Sequence, residues 1–326
     1  MTLIVSVTVE RWPVAGAFII SRGTKTHVDV VLCTISDGLI TGRAEATPIY
    51  YEGESAENCA NEIKQFAAEH PDLDHAQLLQ QMPRGAARNA LDCALWDLER
   101  RRENIALWRL AGLPEPVPTV SALTISLGSP TVMESHARQA ATDGYTLLKL
   151  KLAGDNDRER VAAVHRGAPA ARLIVDANES WNDLDIAAEA THLAQYSVEM
   201  IEQPVSAGQD HLLAGVQSPV PLCADESCHT SGDIERIAPY YDAVNIKLDK
   251  AGGLTEALAM AHAAQAMNLK IMVGCMLSTS LGIQPAFALA QLAHWVDLDG
   301  PLLLAKDREQ AFRFAAGKIL PAQGGD

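Results

Sequence analysis

Three features are scarce in this 326-residue sequence, and each scarcity argues against a class of protein. It contains no apolar run of about 18 residues, which a membrane-spanning helix would need. Its six cysteines form no CxxC pair, which argues against a disulfide framework and against a zinc site. Its 26 basic residues are outnumbered by 41 acidic ones, and the net charge of -15 argues against nucleic acid or an anionic membrane as a partner.

The start of the chain and its composition predict a cytoplasmic protein. The first residues, MTLIVSVTVERW, lack the basic start and cleavage site of a signal peptide and are typical of a strand. Hydrophobic residues make up 48% of the sequence and charged residues 21%, the balance of a globular protein with a sizeable core. We therefore expect buried free thiols in a reducing cytoplasm and a small molecule as the partner, and we allow for a homo-oligomer.

Residues 1–115 predict an α+β domain. The first 45 residues hold strand-like segments with an Asp37-Gly38 turn, which favours an antiparallel meander with a hairpin. Residues 55–112 are rich in Ala, Leu, Glu and Arg, and they predict helices that end near Gly112 and Pro114. The prolines of LPEPVPTV then predict an inter-domain linker. Strands followed by helices indicate the α+β class.

Short apolar strands alternate with Ala-rich helical segments from residue 116 to residue 300. The strand candidates are VSALTIS, YTLLKLK, RLIVDAN, SVEMIEQP, VPLCADES, DAVNIKLD, LKIMVGCM and AHWVDLD. Eight strands in this alternation predict a parallel barrel, in which only the last strand lacks a clear following helix. Residues 301–326 form a tail that is short for a domain, and we expect it to pack on the rest of the chain.

Polar residues stand at the same point of this repeat, where each strand ends. A single Asp after a strand is often the cap of the next helix, and a single strand lysine is often a solvated edge residue. Because the carboxyl ends of barrel strands meet at one mouth, their joint occurrence predicts an active site there. The residues are Thr124, Lys149 with Lys151, Asp176 with Asn178, Glu202, Asp225 with Glu226, Lys247, Cys275, and Asp297 with Asp299.

Asp176, Glu202 and Asp225 end three consecutive strands, which predicts a metal site. Carboxylates held this close cannot all ionise unless a cation compensates them. Oxygen ligands without His or Cys favour magnesium. We expect one Mg2+ per subunit. Glu226 is a competing ligand, but strand alternation predicts that it lies on the opposite face.

Lysines flank the three carboxylates along the chain. Lys151 lies one strand earlier and Lys247 one strand later, so the two would face each other across a circular barrel. Two bases on opposite sides suit a 1,1-proton transfer α to a carboxylate, through an enediolate that the metal stabilises. Lys149 shares a strand face with Lys151, and its like charge would lower the pKa of Lys151. We therefore predict catalytic roles for Lys149, Lys151 and Lys247.

Several motifs resemble those of one enzyme family. They are the KxK of TLLKLKL, the DAN of IVDANESW, IEQP, CADES, NIKLDK followed by Gly-Gly, and DLDGPLLL, with ALDCALWDLERRR in the first domain. In this order they resemble the enolase superfamily, muconate-lactonising subgroup, and within it the L-Ala-D/L-Glu dipeptide epimerases. The resemblance implies an α/β fold, a modified TIM barrel (β/α)7β over residues 116–300. It also implies an α+β N-terminal capping domain over residues 1–115 and a C-terminal tail, residues 301–326, returning to that domain.

The resemblance also implies which residues bind the substrate. It assigns the three carboxylates to the metal and Lys151 and Lys247 to acid–base chemistry. Asp297 would bind the ammonium of the dipeptide, with support from Asp299. Around the substrate we further expect Thr124, Lys149 and Cys275.

Two parts of the capping domain are further candidates for substrate contacts. Arg22 resembles a position of the glutamate-specific epimerases and would pair with the substrate's side-chain carboxylate, with an exposed loop charge as the equal alternative. Tyr50 and Tyr51 would close over the ligand or pack against the barrel rim.

Three functions stay open at this point. The first is epimerisation of a dipeptide, with a role in murein peptide recycling. The second is another activity of the subgroup, such as a cycloisomerase, an o-succinylbenzoate synthase or an N-acylamino acid racemase. The third is a non-catalytic, metal-dependent binding protein. Asp297 separates the first two, because it would bind an ammonium that acylated or amine-free substrates lack. Retention of both lysines and all three carboxylates argues against the third.

Overall fold

The computed structural model describes residues 2–20 and 23–321 of the chain. Within these residues the strands form an antiparallel sheet of three strands, a parallel sheet of eight strands and a small antiparallel sheet of three strands. The predicted fold class is confirmed, because an eight-stranded parallel barrel follows an N-terminal domain with an antiparallel sheet.

The first sheet contains β1 (Ile4–Ile20), β2 (Gly23–Ser36) and β3 (Thr41–Ala46), in that order. The predicted hairpin joins β2 to β3, and the Asp37 Oδ1 atom accepts hydrogen bonds from the amides of Leu39 and Ile40 at 2.9 and 2.8 Å. Strand β1 is longer than the sequence predicts and changes register between Pro13 and Phe18. Proline has no N–H to donate to the ladder, so an irregularity at this point keeps the strand paired on both sides.

Four helices follow: α1 (Ala56–Glu69), α2 (His75–Gln81), α3 (Ala86–Glu103) and α4 (Leu107–Leu110). Ser55 and Asp74 cap the first two, each accepting a hydrogen bond from a backbone amide of the first turn. Helix α3 lies directly on β3 at Gly42, where a Cβ atom would stand 2.3 Å from the carbonyl oxygen of Ala94. Only glycine permits this close approach of helix and sheet.

The barrel strands pair in chain order, all parallel. The amide of Ala122 donates to the carbonyl of Val296 at 2.8 Å and so links the first strand region to the last. After β4 (Thr119–Val120), the strands are β5 (Leu123–Ile125), β6 (Leu147–Lys151), β7 (Arg172–Asp176), β8 (Val198–Glu202), β9 (Leu222–Ala224), β10 (Ala243–Ile246), β11 (Lys270–Gly274) and β12 (Trp295–Asp297).

Helices cover the outside of the barrel: α5 (Pro130–Thr142), α6 (Asp157–Gly167), α7 (Ile186–Leu193), α8 (Ile234–Ile237), α9 (Leu248–Ala251), α10 (Leu254–Ala266) and α11 (Ser280–Leu289). The sequence pattern predicts a helix after every strand but the last, and this is wrong after β8. A short 3-10 turn, Asp210–Leu213, stands there instead. Pro204, Gly208 and Gly215 interrupt this segment, and glycine and proline are the residues least compatible with an α-helix.

The alternation of the strands separates two environments. Leu148, Leu150 and Leu152 point outward into the core beneath the helices and are fully buried. Inside the barrel, one side chain from each strand region forms an apolar floor: Ala122, Leu147, Ile174, Met200, Cys223, Ala243, Met272 and Trp295. The next inward position along each strand lies above this floor, and there the polar residues begin.

The tail contacts both parts of the chain. Its strands β13 (Arg313–Ala315) and β14 (Lys318–Leu320) pair with each other, and β14 also pairs with β4. Leu304 forms an isolated bridge with Val14, and the Arg308 side chain contacts Glu10 and Glu45 of the first sheet. The division of the chain at residues 115 and 300 stays a prediction. In the part of the chain that the structure describes, no helix has the length and apolar character needed to cross a membrane.

Candidate active site

The polar strand ends converge on one side of the barrel. Lys151 is in register with Asp176, and Asp176 with Glu202, so consecutive strands bring these side chains to one level above the apolar floor. A cavity opens over them, which we call the mouth cavity. From the barrel it is lined by Thr124, Lys149, Lys151, Asn178, Asp225, Glu226, Lys247, Cys275, Asp297 and Asp299, among others. Asp176 and Glu202 are fully buried beneath these residues.

Lysine ammonium groups lie among the three carboxylates. Lys149 Nζ is 2.7 Å from Glu202 Oε2 and 3.3 Å from Asp176 Oδ2. Lys151 Nζ donates to Asp176 Oδ2 at 2.6 Å, and Lys247 Nζ donates to Asp225 Oδ2 at 2.6 Å. The cluster is therefore a buried network of alternating charges, in which each carboxylate touches at least one cation.

These contacts shift the titration of the carboxylates in different directions. Burial raises the pKa of Glu202, and the neighbouring Asp176 adds to the effect. Burial also acts against ionisation of Asp225, but Lys247 and Lys250 outweigh it and hold the pKa of that carboxyl well below its usual range. Glu202 is thus the member of the three whose charge is least compensated.

Lys149 has a different environment from the one the sequence suggests. The prediction sets it beside Lys151 as a like charge. In the structure its Nζ atom also contacts Asp297 Oδ2 at 2.8 Å. Burial opposes its charge, but Asp297 and Glu202 raise the pKa of Lys149 well above its usual value. Lys149 therefore compensates the acidic cluster, and its influence on the pKa of Lys151 stays a prediction.

Lys151 and Lys247 stand on opposite sides of the mouth cavity. Strands β6 and β10, which carry them, are separated by three strands in the sheet order. The Ala122–Val296 link joins the other two ends, so three strands also separate them the other way round. A ligand in the cavity would meet one lysine on each face.

The eighth strand contributes an acidic pair at the cavity wall. Asp299 Oδ2 accepts the amide hydrogen of Thr124 at 2.6 Å. Burial and the neighbouring Asp297 raise the pKa of Asp299. Asp297 Oδ1 is buried without a hydrogen-bond partner among the described residues. A buried acceptor without a donor is costly, so this oxygen suits a ligand that brings an N–H group.

The capping domain closes the other side of the mouth cavity. Tyr50 and Tyr51 line it, as predicted candidates, together with residues that sequence reasoning missed: Phe18, Ile20, Lys25 and Thr47. Lys25 Nζ lies 3.7 Å from the centroid of the Tyr50 ring, and burial lowers the pKa of Lys25 to about 8. Lys25 belongs to the same SRGTKTH segment as Arg22, which lies outside the described residues.

Two further residues were missed as supports of the site. Lys250, in the NIKLDK motif, is almost fully buried, and its Nζ atom is 2.5 Å from Asp225 Oδ1 and 3.0 Å from the carbonyl of Cys228. Glu45 of β3 accepts the amide hydrogen of Thr279 at 2.7 Å and so holds the loop after β11. The NIKLDK motif contains a signal in the sequence for Lys250. No such signal exists for Glu45, because it contacts a residue 234 positions away in the sequence.

Cys275 and Glu226 can be compared with their predictions. Cys275 lines the mouth cavity, and burial raises the pKa of its thiol well above the usual value. The expectation that alternation turns Glu226 away is wrong, because Glu226 lines the cavity as Asp225 does. Strand β9 ends at Ala224, so the period-two rule no longer holds for the two residues that follow it.

The donor set fits a hard divalent cation. Asp176, Glu202 and Asp225 supply carboxylate oxygens only, on adjacent strands, and burial works against ionisation of each. Within residues 2–20 and 23–321, no three acidic, His or Cys side chains already form a metal cage, because lysine ammonium groups lie between the carboxylates. These ammonium groups supply positive charge to the same carboxylates that a bound cation would contact.

A capped barrel with acidic and basic groups converging at its mouth is typical of barrel enzymes. The family model described as "Mandelate racemase / muconate lactonizing enzyme, N-terminal domain" matches residues 2–112. The model described as "Enolase C-terminal domain-like" matches residues 132–325. The chain belongs to the mandelate racemase/muconate lactonizing enzyme family of the enolase superfamily, which confirms the predicted family.

Two similar proteins of known activity cover almost the whole chain. L-Ala-D/L-Glu epimerase of Escherichia coli K12 is 42% identical over 316 residues, 97% of this chain and 98% of that protein. N-acetyl-D-glutamate racemase of a Pseudoalteromonas species is 39% identical over 297 residues, 90% and 93% of the two chains. Both are isomerases that act on amino acid derivatives, which is the enzyme class predicted from the sequence.

Solved structures agree with this assignment. An enolase family member of Agrobacterium tumefaciens with homology to dipeptide epimerases, solved with sodium and L-Ala-L-Glu, is 46% identical with a TM-score of 0.94. The match covers 98% of each chain. Dipeptide epimerase of Enterococcus faecalis, complexed with Mg and L-Leu-L-Tyr, is 26% identical with a TM-score of 0.92 over 100% of this chain and 99% of that one.

Proposed function

We propose that this protein epimerises a dipeptide whose second residue is glutamate, with L-Ala-D/L-Glu as the preferred substrate. The observation that carries the proposal is the pair Lys151 and Lys247, which face one cavity from opposite sides above three buried carboxylates. A proton removed at one face of a carbon atom and returned at the other inverts that centre. The similarity to enzymes that invert glutamate derivatives supports the same reaction type.

Asp176, Glu202 and Asp225 would hold one Mg2+ ion, which when bound would supply positive charge to the carboxylate next to the reacting carbon. The relative from Enterococcus faecalis supports this choice of metal, because it was solved with Mg. Lys149 would add a fixed positive charge beside Glu202 and Asp297. Lys151 and Lys247 would take up and return the α-proton, each at its Nζ atom.

Asp297 favours a free amine on the substrate. Its Oδ1 atom is buried and has no hydrogen-bond donor among the described residues, and an ammonium group of a dipeptide would provide one. An acetylated amine is neutral and carries a single N–H, so it would compensate the Asp297–Asp299 pair less well. Racemisation of N-acetyl-glutamate is the second candidate, since a relative with that activity is 39% identical.

Lys25 supports an acidic side chain on the substrate. It is half-buried in the cavity wall and makes no ion pair with the described residues. A carboxylate in the cavity would compensate its charge, whereas an apolar side chain would leave the charge partly desolvated. Arg22 is proposed to serve the same carboxylate, as the sequence predicts. A dipeptide of L-Ala and D-Glu would also suit a role in murein peptide recycling.

The reaction can be tested by following α-proton exchange in deuterated water by mass spectrometry. We expect L-Ala-L-Glu to exchange its α-proton and epimerise, and N-acetyl-L-glutamate to react far more slowly. L-Ala-L-Leu should also exchange more slowly than L-Ala-L-Glu. With Lys151→Ala, exchange should persist for only one of the two epimers, and with Lys247→Ala only for the other. Full epimerisation by either variant would refute the two-lysine mechanism, and faster turnover of N-acetyl-L-glutamate would favour the second candidate.

A further inference from the structure

A second cavity, between β3, helix α3, helix α11 and the tail, is lined by basic side chains. We call it the arginine cavity; its charged lining residues are Arg43, Arg100, Arg101, Arg308 and Arg313. Among the described residues no acidic side chain lines it, although acidic residues outnumber basic ones by 41 to 26 in the chain. Within residues 2–20 and 23–321 it shares no lining residue with the mouth cavity. Three carboxylates pair with these side chains, Glu10 and Glu45 with Arg308 and Asp97 with Arg100 and Arg101, so the five arginines outnumber their acidic partners and leave an excess of positive charge.

Several N–H groups of these arginines make no hydrogen bond within the described residues and are available to a ligand. Arg100 and Arg101 both bond to Asp97 through their Nε atoms, at 2.7 and 2.9 Å, so one carboxylate serves two guanidinium groups. Their terminal nitrogen atoms make no hydrogen bond with the described residues. Arg313 is exposed, and its guanidinium has no hydrogen bond or ion pair within the same part of the chain. Planar forks of this kind match the oxygens of phosphate.

An apolar groove continues from the arginine cavity. Its apolar wall consists of Leu107 and Trp108 of α4, Phe287 of α11 and Phe312 of the tail, and Glu115 also lines it. The rings of Phe287 and Phe312 meet edge to face at 5.1 Å. Both cavities share Gln284, Phe312 and Pro321 in their walls, so the aromatic groove and the arginine cavity are continuous.

We propose that these two cavities together form a binding site for a small phosphate-bearing molecule with an aromatic ring. The guanidinium groups of Arg101 and Arg313 hold the phosphate, and the ring packs against Trp108 and Phe312. Pockets that combine apolar walls with a few convergent polar groups are typical of small-molecule sites. The phosphate fits the charge of one cavity and the ring fits the apolar wall of the other.

The test uses three probes that separate the two halves of the ligand. Calorimetric titration is carried out on the full chain with Mg2+ and saturating L-Ala-L-Glu, which keeps the probes out of the mouth cavity. We expect phenyl phosphate to bind more tightly than methyl phosphate, and benzyl alcohol not to bind measurably. Each of these arginines would lose a hydrogen bond to a charged group, so Arg101→Gln and Arg313→Gln should each weaken the binding of both phosphates about tenfold or more.

Trp108→Ala separates the ring from the phosphate. It should remove the advantage of phenyl phosphate over methyl phosphate and leave methyl phosphate binding unchanged. Arg102→Gln is the matched control, because Arg102 is a neighbour on α3 that pairs with Asp37 and does not line the cavity. Thermal melting of each variant checks that the fold is retained.

Several outcomes would overturn the proposal. The first is that Arg101→Gln and Arg313→Gln leave the affinity for phenyl phosphate unchanged. The second is that Arg102→Gln lowers this affinity as much as they do. The third is that the wild-type protein binds phenyl and methyl phosphate equally tightly. Co-sedimentation with phosphatidylglycerol vesicles in the absence of phenyl phosphate binding would indicate a lipid surface instead, and would refute a small-molecule site.

Discussion

The barrel and the capping domain both line the mouth cavity, but they hold their side chains in different ways. Lys149, Asp225 and Lys247 of the barrel are almost fully buried, and each is ion-paired at 2.8 Å or less. On the capping side, Tyr50 is 37% exposed and Lys25 makes no ion pair among the described residues. The barrel therefore fixes charged groups for proton transfer, whereas the capping domain offers adaptable contacts for the rest of the substrate.

The largest effect should come from a barrel lysine. Lys247→Ala removes one of the two proposed acid–base groups, and such groups contribute about 10²–10⁴-fold to turnover. We expect kcat for L-Ala-L-Glu epimerisation to fall within that range, with a small change in KM. Steady-state kinetics by polarimetry measures this. A KM effect without loss of kcat would mean that Lys247 only binds the substrate, as a capping residue would.

The support beneath the barrel site should matter for stability as well. Lys250→Met leaves Asp225 with one cation fewer and removes the donor to the Cys228 carbonyl, and breaking a buried pair costs about 3–5 kcal/mol. We expect the free energy of unfolding in urea to fall by that amount. Lys64→Met is the control, since Lys64 is exposed on α1 and should change little. Equal stability of the two variants would contradict a supporting role for Lys250.

A capping residue should change selectivity and leave turnover intact. Lys25→Met removes the cation proposed for the glutamate side chain, so KM for L-Ala-L-Glu should rise about tenfold, the equivalent of 1.4 kcal/mol, with kcat retained. KM for L-Ala-L-Leu should stay the same. An equal rise for both dipeptides would show that Lys25 shapes the cavity without recognising charge.

The same residue predicts a pH dependence. Burial lowers the pKa of Lys25 to about 8 in the free protein, so its ammonium is present below that pH and lost above it. KM for L-Ala-L-Glu should therefore rise above about pH 8, and Lys25→Arg should remove this rise, because arginine stays protonated. Measuring KM from pH 6.5 to 9.5 for both forms tests the prediction, and a rise that persists in Lys25→Arg would contradict it.

The smallest effect should come from the ion pairs of Glu52, which directly follows Tyr50 and Tyr51 in the chain. Glu52 pairs with His229 at 2.8 Å and with Arg84 at 2.7 Å, and the hydrogen bond from His229 lowers the pKa of Glu52, although burial opposes it. A lowered carboxyl pKa stabilises the fold above the unfolded pKa, and this contribution is lost as the pH falls toward about 2. Because the pair is partly exposed, Glu52→Gln should cost less than about 1 kcal/mol at pH 7.

Urea unfolding of wild type and Glu52→Gln at pH 7 and at pH 3.5 measures this contribution. The difference between the two proteins should shrink at the lower pH. A difference that grows on acidification would contradict the assigned direction. A loss above about 3 kcal/mol at pH 7 would mean that the ion pairs of Glu52 stabilise the fold as much as the buried Lys250–Asp225 pair does.

Sequence reasoning works well for residues that a regular strand positions. Lys151, Asp176 and Glu202 can be found from alternation and from the point at which each strand ends, because parallel barrel strands all end at one mouth. It fails at Glu226, which lies just beyond β9, where alternation no longer applies. It also fails at Lys25, because nothing in the SRGTKTH segment indicates which of its charged residues reaches the barrel.

The barrel, its apolar floor and the charged residues at its mouth follow from the amino-acid sequence, because they depend on a local periodicity that is repeated in eight strands. The contacts between charged side chains depend on the packing of the whole chain: Lys149 contacts Glu202 and Asp297, Lys250 pairs with Asp225, and Arg43 and Arg313 line one cavity. Such contacts join residues far apart in the chain through long, flexible side chains. Their partners depend on the distance between packed elements, which no local pattern records.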